Sequence, residues 1–366
     1  MRIVLSGGGT GGHIYPAIAI GKQCQKAIPG AELLYIGTET GLEKEIVEKH
    51  GIPFSSIDIT GFRRKLFTPY NVKTVLKFLS GVKRCKRLLR EFKPDAVVGT
   101  GGFVCGPVVY AASRLGIPTL IHEQNVIPGL TNKFLSRYAT VVAVSFKGSE
   151  KHFRGAAHAV YTGNPSASQV AHVERGTGFK TLGIPQGARL ILITGGSRGA
   201  RALNEAALKM IPLLDGERDT YVVWVTGKVY YDDYKNKFNG ARYSEHIKIV
   251  PYLHNMPEIL SAATLVVSRA GASFLAEVTA LGIPSVLVPS PNVTNNHQEA
   301  NARWLKREHA AEIILEKDLT GKTLFQAVHA LINDEALREK MAANSRKLGQ
   351  PDAASLVVEQ LLRISK

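Results

Sequence analysis

The chain alternates short runs of aliphatic and β-branched residues with longer segments whose apolar positions recur at helical spacing. The short runs fall at 2–6, 32–36, 95–98, 118–121 and 140–144, then again at 189–194, 221–226, 246–250, 264–268 and 284–288. Segments with helical periodicity lie between them, for instance 16–28, 41–50, 72–92, 129–138, 200–214, 272–281 and 298–307. Strand–helix alternation of this kind predicts an α/β protein with parallel sheets covered by helices on both faces. The punctuation agrees. "HGIP" at 50–53 and "LGIP" at 115–118 and 281–284 put a glycine where a helix should end and a proline just beyond it. Glycine takes the left-handed C-terminal conformation and proline prevents continuation into the next strand. "LGIP" at 182–185 has the same letters but precedes a turn and a new strand.

The pattern also starts over. "RIVLSGGGTGGH" at 2–13 and "RLILITGGSRGA" at 189–200 both read as strand, glycine loop, then helix. Between them "TGNPSASQVAHVERGTGFKTLGIPQG" is turn-rich and weakly periodic, which suits a linker. The reading is an N-terminal domain over 1–163 and a C-terminal domain over 164–366, with the last helix, 352–364, packing back on the first domain. Two doubly wound, Rossmann-like domains facing across a cleft are expected, with ligands beyond the carboxyl ends of the strands.

Composition narrows the class. A chain of 366 residues with 45% hydrophobic and 21% charged residues can bury two ordinary cores. No apolar run reaches the roughly 18 residues that span a bilayer. A glycine loop stands where a secretion signal would need its apolar stretch, so export is not expected. Cys24, Cys85 and Cys105 are widely spaced and read as reduced thiols. The net charge of +16 is uneven. Residues 1–163 carry 22 Lys and Arg against 10 Asp and Glu, while the remainder carries 24 against 20. Residues 62–93 alone hold eleven cations against Glu91, which points to an anionic partner.

Gly7, Gly9 and Gly12 satisfy the G-x-G-x-x-G spacing of dinucleotide sites. A nicotinamide cofactor also calls for an acidic residue about 20 positions on, at the end of the second strand. Glu32 has the separation but opens its run, so that reading weakens. Close-approach glycines and a helix N-terminus suit a phosphate, although the same loop can be only a tight turn. The second loop, with Gly196, Ser197, Arg198 and Arg201, offers hydroxyl and cationic groups that the first lacks. The first has His13. At a helix N-terminus the backbone dipoles disfavour a cationic ring, so a neutral imidazole able to accept a proton is expected there. "GTGGFVCGP" at 99–107 and "HEQN" at 122–125 follow the next two strands at the same edge. In the second domain "SRAGASFLAEVTALGIPSVLVP" carries Glu277 in the early turns of a helix, where a carboxylate can accept both hydroxyls of a ribose. "PSPNVTNNHQEANA" adds amide and imidazole groups suited to sugar hydroxyls and equally common in plain turns.

"GGGTGGHIYP", "GTGGFVCGP", "HEQN", "TGNP", "GGSRGA", "HNMPEIL", "SRAGASFLAE" and "NNHQEANA", in this order through almost the whole chain, resemble the MurG family of peptidoglycan glycosyltransferases. The resemblance implies a GT-B fold and transfer of N-acetylglucosamine from UDP-GlcNAc to undecaprenyl-diphosphoryl muramoyl-pentapeptide. It implies Thr10, Gly11 and Gly12 near the donor sugar and phosphates, Asn125 on the sugar, Ser197 on the diphosphate and the backbone of Leu253 on uracil. Glu277 would hold the ribose and Gln298, with His297, the sugar hydroxyls, while His13 is the candidate general base. Gly196, Arg198, Ala272 and Ser166 are further donor-side candidates. After "GNP" some family members carry an arginine where this chain has Ser166 and Ala167, which leaves Arg198, Arg201 or backbone donors to stabilise the leaving group. There is no D-x-D, and the adjacent aspartates of "YYDDYK" fall on an expected surface helix. Metal-free chemistry with no cofactor is the reading.

"GFRRKLF" places Phe62, Leu66 and Phe67 around Arg63, Arg64 and Lys65. In the helix that follows, Val72, Val75, Leu76, Leu79, Val82 and Leu89 form an apolar stripe expected to face the core, with seven cations over most of the rest. Peripheral binding to an anionic membrane at its cytoplasmic face fits this segment and fits a lipid-linked acceptor. Two rivals remain at this stage. A UDP-GlcNAc 2-epimerase would share fold and donor but would have no use for a basic-apolar patch. A nucleic-acid-binding protein would explain the charge, but only 7% of residues are aromatic and the cations sit beside apolar groups, so no nucleic-acid partner is expected.

Overall fold

The computed structural model describes residues 1–61, 69–214, 217, 219–238 and 244–365. Phe62, Arg63, Arg64, Lys65, Leu66 and Phe67 lie outside the described residues. The chain divides into two compact units: Met1–Ser166 with Asp352–Lys366, and Ala167–Pro351. The first unit thus closes at Ser166 and includes the last helix.

The first unit runs β1 (Arg2–Ser6), α1 (Gly11–Ala27), β2 (Glu32–Thr38), α2 (Leu42–Lys49), β3 (Phe54–Ile57), α3 (Pro69–Phe92), β4 (Ala96–Gly99), α4 (Cys105–Arg114), β5 (Thr119–Glu123), α5 (Leu130–Leu135), β6 (Val141–Val144) and β7 (Ala159–Tyr161). Among the described residues its sheet has seven strands in the order β3-β2-β1-β4-β5-β6-β7, all paired in parallel. Side chains alternate across a strand, so β1 serves two layers at once. Ile3 and Leu5 pack with α1 residues such as Ile14 and Ile18, whereas Val4 packs with Val108 of α4 and Leu89 of α3.

The second unit contains α6 (Thr177–Leu182), β8 (Arg189–Thr194), α7 (Arg201–Met210), β9 (Thr220–Val225), α8 (Tyr231–Phe238), β10 (Ile247–Val250) and α9 (Met256–Ala262). It continues with β11 (Leu265–Ser268), α10 (Ala272–Leu281), β12 (Ser285–Leu287), α11 (His297–Arg307), β13 (Ala311–Ile313), α12 (Gly321–Asn333) and α13 (Glu335–Leu348). Its described sheet is again parallel, in the order β10-β9-β8-β11-β12-β13. Ile191 and Ile193 face the layer that includes Leu203 and Val328, and Leu190 and Leu192 face the layer that includes Ile259 and Val278. Both units are therefore doubly wound.

The final helix, α14 (Ala353–Ile364), contributes Val357, Val358 and Leu361 to the layer formed by α1, and Gln23 donates to Ser355 at 2.9 Å. Gly51, Gly116 and Gly282 take left-handed conformations just past their helices, as the Gly-x-Pro punctuation requires. Gly183 does the same after α6, so the stretch read as a linker carries a helix of its own. That helix is packed on α9: a Cβ at Gly178 would stand 2.5 Å from the carbonyl oxygen of Glu258.

Two further expectations change. Helix α1 begins at Gly11 rather than at Pro16, which sits in its second turn. Proline removes one helical hydrogen bond, but the first turn is held from outside, because the Thr100 hydroxyl donates to His13 O at 2.7 Å. On α3 the expected core stripe is overturned over its first half. Val72, Val75, Leu76 and Leu79 are 63, 46, 62 and 59% exposed. The buried side there is Asn71, Thr74 and Gly81, followed by Cys85, Leu88 and Leu89. Helical periodicity identifies an apolar face but not what covers it.

Candidate active site

The loop from β1 to α1 is fixed by neighbours on both sides. The Tyr35 hydroxyl donates to Gly7 O at 2.6 Å, and the Gly8 N–H donates to Gly101 O at 3.2 Å. Gly102 has φ +83°, and a Cβ there would lie 2.2 Å from Gly8 O, so two glycine loops meet backbone to backbone. No other residue permits that approach.

On this platform Thr10 and Gly12 are exposed, Gly11 is half-buried and His13 is the third residue of α1. His13 Nδ1 lies 3.0 Å from Thr100 O and 3.0 Å from Gln124 Oε1. A carbonyl oxygen only accepts, so Nδ1 carries the hydrogen and Nε2 the lone pair. At the end of β5 the buried Glu123 carboxylate accepts four hydrogen bonds. Oε1 takes the N–H and side-chain amide of Asn125 at 2.9 and 3.2 Å. Oε2 takes the N–H of Gly129 and the amide of Asn132, each at 3.0 Å. Charge-assisted bonds of this kind fix Asn125 and the turn after it. Ser166 is buried at the end of the unit, its N–H donating to Asn164 Oδ1 at 3.1 Å. Sequence reasoning assigned no role to Thr100, Glu123, Gln124 or Asn132; the signal for three of them was the polar quartet that closes β5 and the helix start beyond it.

In the second unit the loop after β8 docks on the turn after β9. Gly199 has φ +72°, and a Cβ there would come within 2.1 Å of Thr226 O. Asn204 donates to Thr226 O at 2.9 Å and accepts from the Trp224 indole at 3.0 Å, tying the start of α7 to the same turn. Gly196, Ser197 and Arg198 stand exposed above it. Arg201 donates to Glu205 at 2.9 Å, whereas Arg198 forms no ion pair among the described residues.

The remaining donor-side candidates follow other strand ends of this sheet. Leu253, after β10, is half-buried against the α9 layer. Ala272 opens α10 and is buried, and Glu277 lies farther along the same helix. Glu277 is half-buried, and desolvation pushes its carboxyl up to about 8. Arg269, just after β11, donates to Val288 O at 3.1 Å and pairs with Glu316, which pins the end of β12. Gln298 Oε1 accepts from the Ser290 N–H at 2.9 Å, so its amide NH₂ is the group it can offer a ligand. His297 donates from Nδ1 to Thr294 O at 2.8 Å, leaving Nε2 as an acceptor. The fold thus sets Gly196, Ser197, Arg198, Leu253, Ala272, His297 and Gln298 in the segments that follow the strands of one sheet, with Glu277 in the second turn of α10. Thr10, Gly11, Gly12, His13 and Asn125 gather at the carboxyl edge of the other sheet. Asp232 and Asp233 are exposed on α8, and Asp233 pairs with Lys237 at 2.8 Å.

Two doubly wound units with glycine loops at the carboxyl edges of their sheets define a GT-B glycosyltransferase architecture. Residues 3–144 match the glycosyltransferase family 28 N-terminal domain, and residues 190–357 match the family's C-terminal domain. The chain belongs to glycosyltransferase family 28 and, within it, to the MurG group. A relative from Bacillus licheniformis is 54% identical, over 97% of this chain and 96% of its own length. It bears the name UDP-N-acetylglucosamine–N-acetylmuramyl-(pentapeptide) pyrophosphoryl-undecaprenol N-acetylglucosamine transferase. The crystal structure of Acinetobacter baumannii MurG superposes with a TM-score of 0.80 at 32% identity, covering 99% of each chain. UDP-GlcNAc 2-epimerase from Neisseria meningitidis, solved with UDP-GlcNAc bound, has a TM-score of 0.70 at 14% identity and covers 99% of this chain and 100% of that one. That likeness is one of fold.

Proposed function

We propose a division of labour in which the second unit holds UDP and the first activates the acceptor. The enzyme transfers N-acetylglucosamine from UDP-GlcNAc to the C4 hydroxyl of undecaprenyl-diphospho-muramoylpentapeptide, the step from lipid I to lipid II in peptidoglycan synthesis. The acceptor oxygen attacks the anomeric carbon and the bond from that carbon to the diphosphate breaks. UDP leaves with the electron pair, and the α-linked donor becomes a β-1,4-linked product. His13 Nε2 takes the hydroxyl proton. The observation that carries this role is the pair of acceptors on Nδ1, which leaves Nε2 as the basic atom.

Ser197, the Gly196 backbone and Arg198 stabilise the departing diphosphate, Arg198 being the cation of this loop not engaged by a carboxylate. The Leu253 backbone reads uracil, Glu277 accepts from the ribose hydroxyls and the N-terminal turn of α10 at Ala272 lies beside the nucleotide. The NH₂ of Gln298 and Nε2 of His297 read the sugar hydroxyls, and Thr10, Gly11, Gly12 and Asn125 meet the donor sugar from the first unit. No resident metal or cofactor enters this scheme.

The lipid-linked acceptor explains the face left open on α3. Val72, Val75, Leu76 and Leu79, with Lys73 beside them and Lys83 one turn on from Leu79, suit an interface between apolar chains and anionic headgroups. The enzyme is peripheral on the cytoplasmic side of the membrane in this reading. No helix among the described residues is long and apolar enough to cross a membrane.

Replacing His13 with Ala tests the base directly. General-base catalysis contributes about 10²- to 10⁴-fold, so turnover with UDP-GlcNAc and a lipid I analogue should fall by that order with little change in donor KM. Unchanged turnover removes His13 from the chemistry.

A further inference from the structure

The polar quartet that closes β5 holds a chain of hydrogen bonds whose direction can be read from one end to the other. His122 is fully buried, and its Nε2 lies 2.9 Å from Gly163 O. That carbonyl can only accept, so Nε2 carries the hydrogen and Nδ1 is an acceptor. Gln124 Nε2 stands 3.1 Å from this Nδ1, 3.0 Å from His122 O and 2.7 Å from Thr100 O. Three acceptors around one end of the amide fix that end as the NH₂. A reversed amide would press its oxygen against two carbonyls at hydrogen-bond distance. The oxygen of Gln124 therefore faces His13 Nδ1 at 3.0 Å.

We infer that Gln124, oriented by His122 and the backbone carbonyls of Thr100 and His122, is a positioning residue. With Thr100 O, which shares the Nδ1 hydrogen, it holds His13 in the tautomer whose Nε2 lone pair is open. Gln124 is 2% exposed, and the His13 ring it meets lies against the Gly101 backbone, where a Cβ would lie 2.8 Å from His13 Nδ1. The relay is built from neutral groups. Burial pushes His122 down to about 4, so near pH 7 its Nδ1 stays an acceptor and the sense of the chain does not reverse. The other titratable groups packed against these loops are Tyr35 of β2, Glu43 of α2, Cys105 at the start of α4 and Glu123 at the end of β5. Burial raises Cys105 to about 11 and Tyr35 well above its ordinary value, so both are protonated near pH 7. Glu123 spends its oxygens on the 125–132 turn, and Glu43 Oε1 accepts from the backbone and hydroxyl of Thr38. Glutamine suits the site because it both donates to Thr100 O and accepts from His13, and it adds no charge that would hold a proton on the base.

The inference rests on His13 acting as the base, and its test separates the two. Selective ¹⁵N labelling of the histidines in the full chain reads the resting tautomer without substrate, the His13 signal being assigned by its loss in His13→Ala. Hydrogen on Nδ1 is expected; hydrogen on Nε2 overturns the relay. The second readout is the pH profile of kcat/KM for Gln124→Glu and Gln124→Leu. A carboxylate on Nδ1 stabilises the protonated ring, so Gln124→Glu should move the acid limb to higher pH by roughly one unit or more. Gln124→Leu should lower kcat about ten-fold, leave the donor KM near wild type and produce no such upward move. An acid limb that stays fixed in Gln124→Glu overturns the relay while leaving the base intact. Failure of the base reading shows separately, as undiminished turnover in His13→Ala.

Discussion

Burial keeps His122 and Glu277 neutral near pH 7, with opposite consequences for stability and binding. His122 is depressed to about 4, so the unfolded chain binds its proton more readily and this stability is lost as pH falls through that range. Glu277 is raised to about 8, so the folded chain holds the proton more tightly than the unfolded chain does. Its contribution is complete below the ordinary carboxyl range, near 4.5, and is lost as pH rises through 8. Ribose hydroxyls donating to Glu277 favour the ionised form, so UDP-GlcNAc binding at pH 7 should expel a proton. The donor Kd should tighten as pH rises towards 8 and level off above it. Calorimetry in buffers of different ionisation enthalpy measures that proton, and Glu277→Gln should abolish it. Equal heats across buffers for the wild type would separate Glu277 from the nucleotide.

Helix α3 carries the largest departure from the sequence pattern. Its spacing was legible, but the buried side of its first half is Asn71, Thr74 and Gly81, with Thr74 against Thr60 of the preceding loop and Gly81 against Pro107 of α4. A period tells which residues share a face, and only packing tells which face is covered. Each exposed aliphatic side chain that leaves water contributes about 1.5–3 kcal/mol. Leu76→Ser with Leu79→Ser should therefore cut flotation with anionic vesicles by ten-fold or more, while transfer to a short-chain, water-soluble acceptor persists. Equal flotation of variant and wild type would assign the face elsewhere. The strands missed in the pattern, β3, β7 and β13, are three or four residues long and lie at sheet edges, where half-exposed positions blur the apolar signal. Helix α1 was read too short because Pro16 resembles a helix start, and the Thr100 hydroxyl that supports the preceding turn is 87 residues away. The glycine loops and the "HEQN" strand end were legible as chemistry. The direction of the hydrogen bonds inside them was not, because it depends on Gly163 and Thr100, carbonyls remote in sequence.

Across the whole molecule, the repeated strand–loop–helix opening becomes two parallel sheets with the same strand order through their first six positions from the β3 and β10 edges. The charge excess and open apolar face belong to the first unit, and the groups proposed to hold uracil, ribose and diphosphate belong to the second. That partition fits one substrate anchored in a membrane and another that is a soluble nucleotide. The fold alone is shared with UDP-GlcNAc 2-epimerases, so the decisive observation is the fate of the sugar. Purified full-length enzyme given UDP-GlcNAc labelled in the sugar, with and without a lipid I analogue, should release UDP and form β-1,4-linked disaccharide-lipid only when the acceptor is present. Conversion of the nucleotide sugar to its 2-epimer without acceptor, with no label entering lipid, would contradict the account.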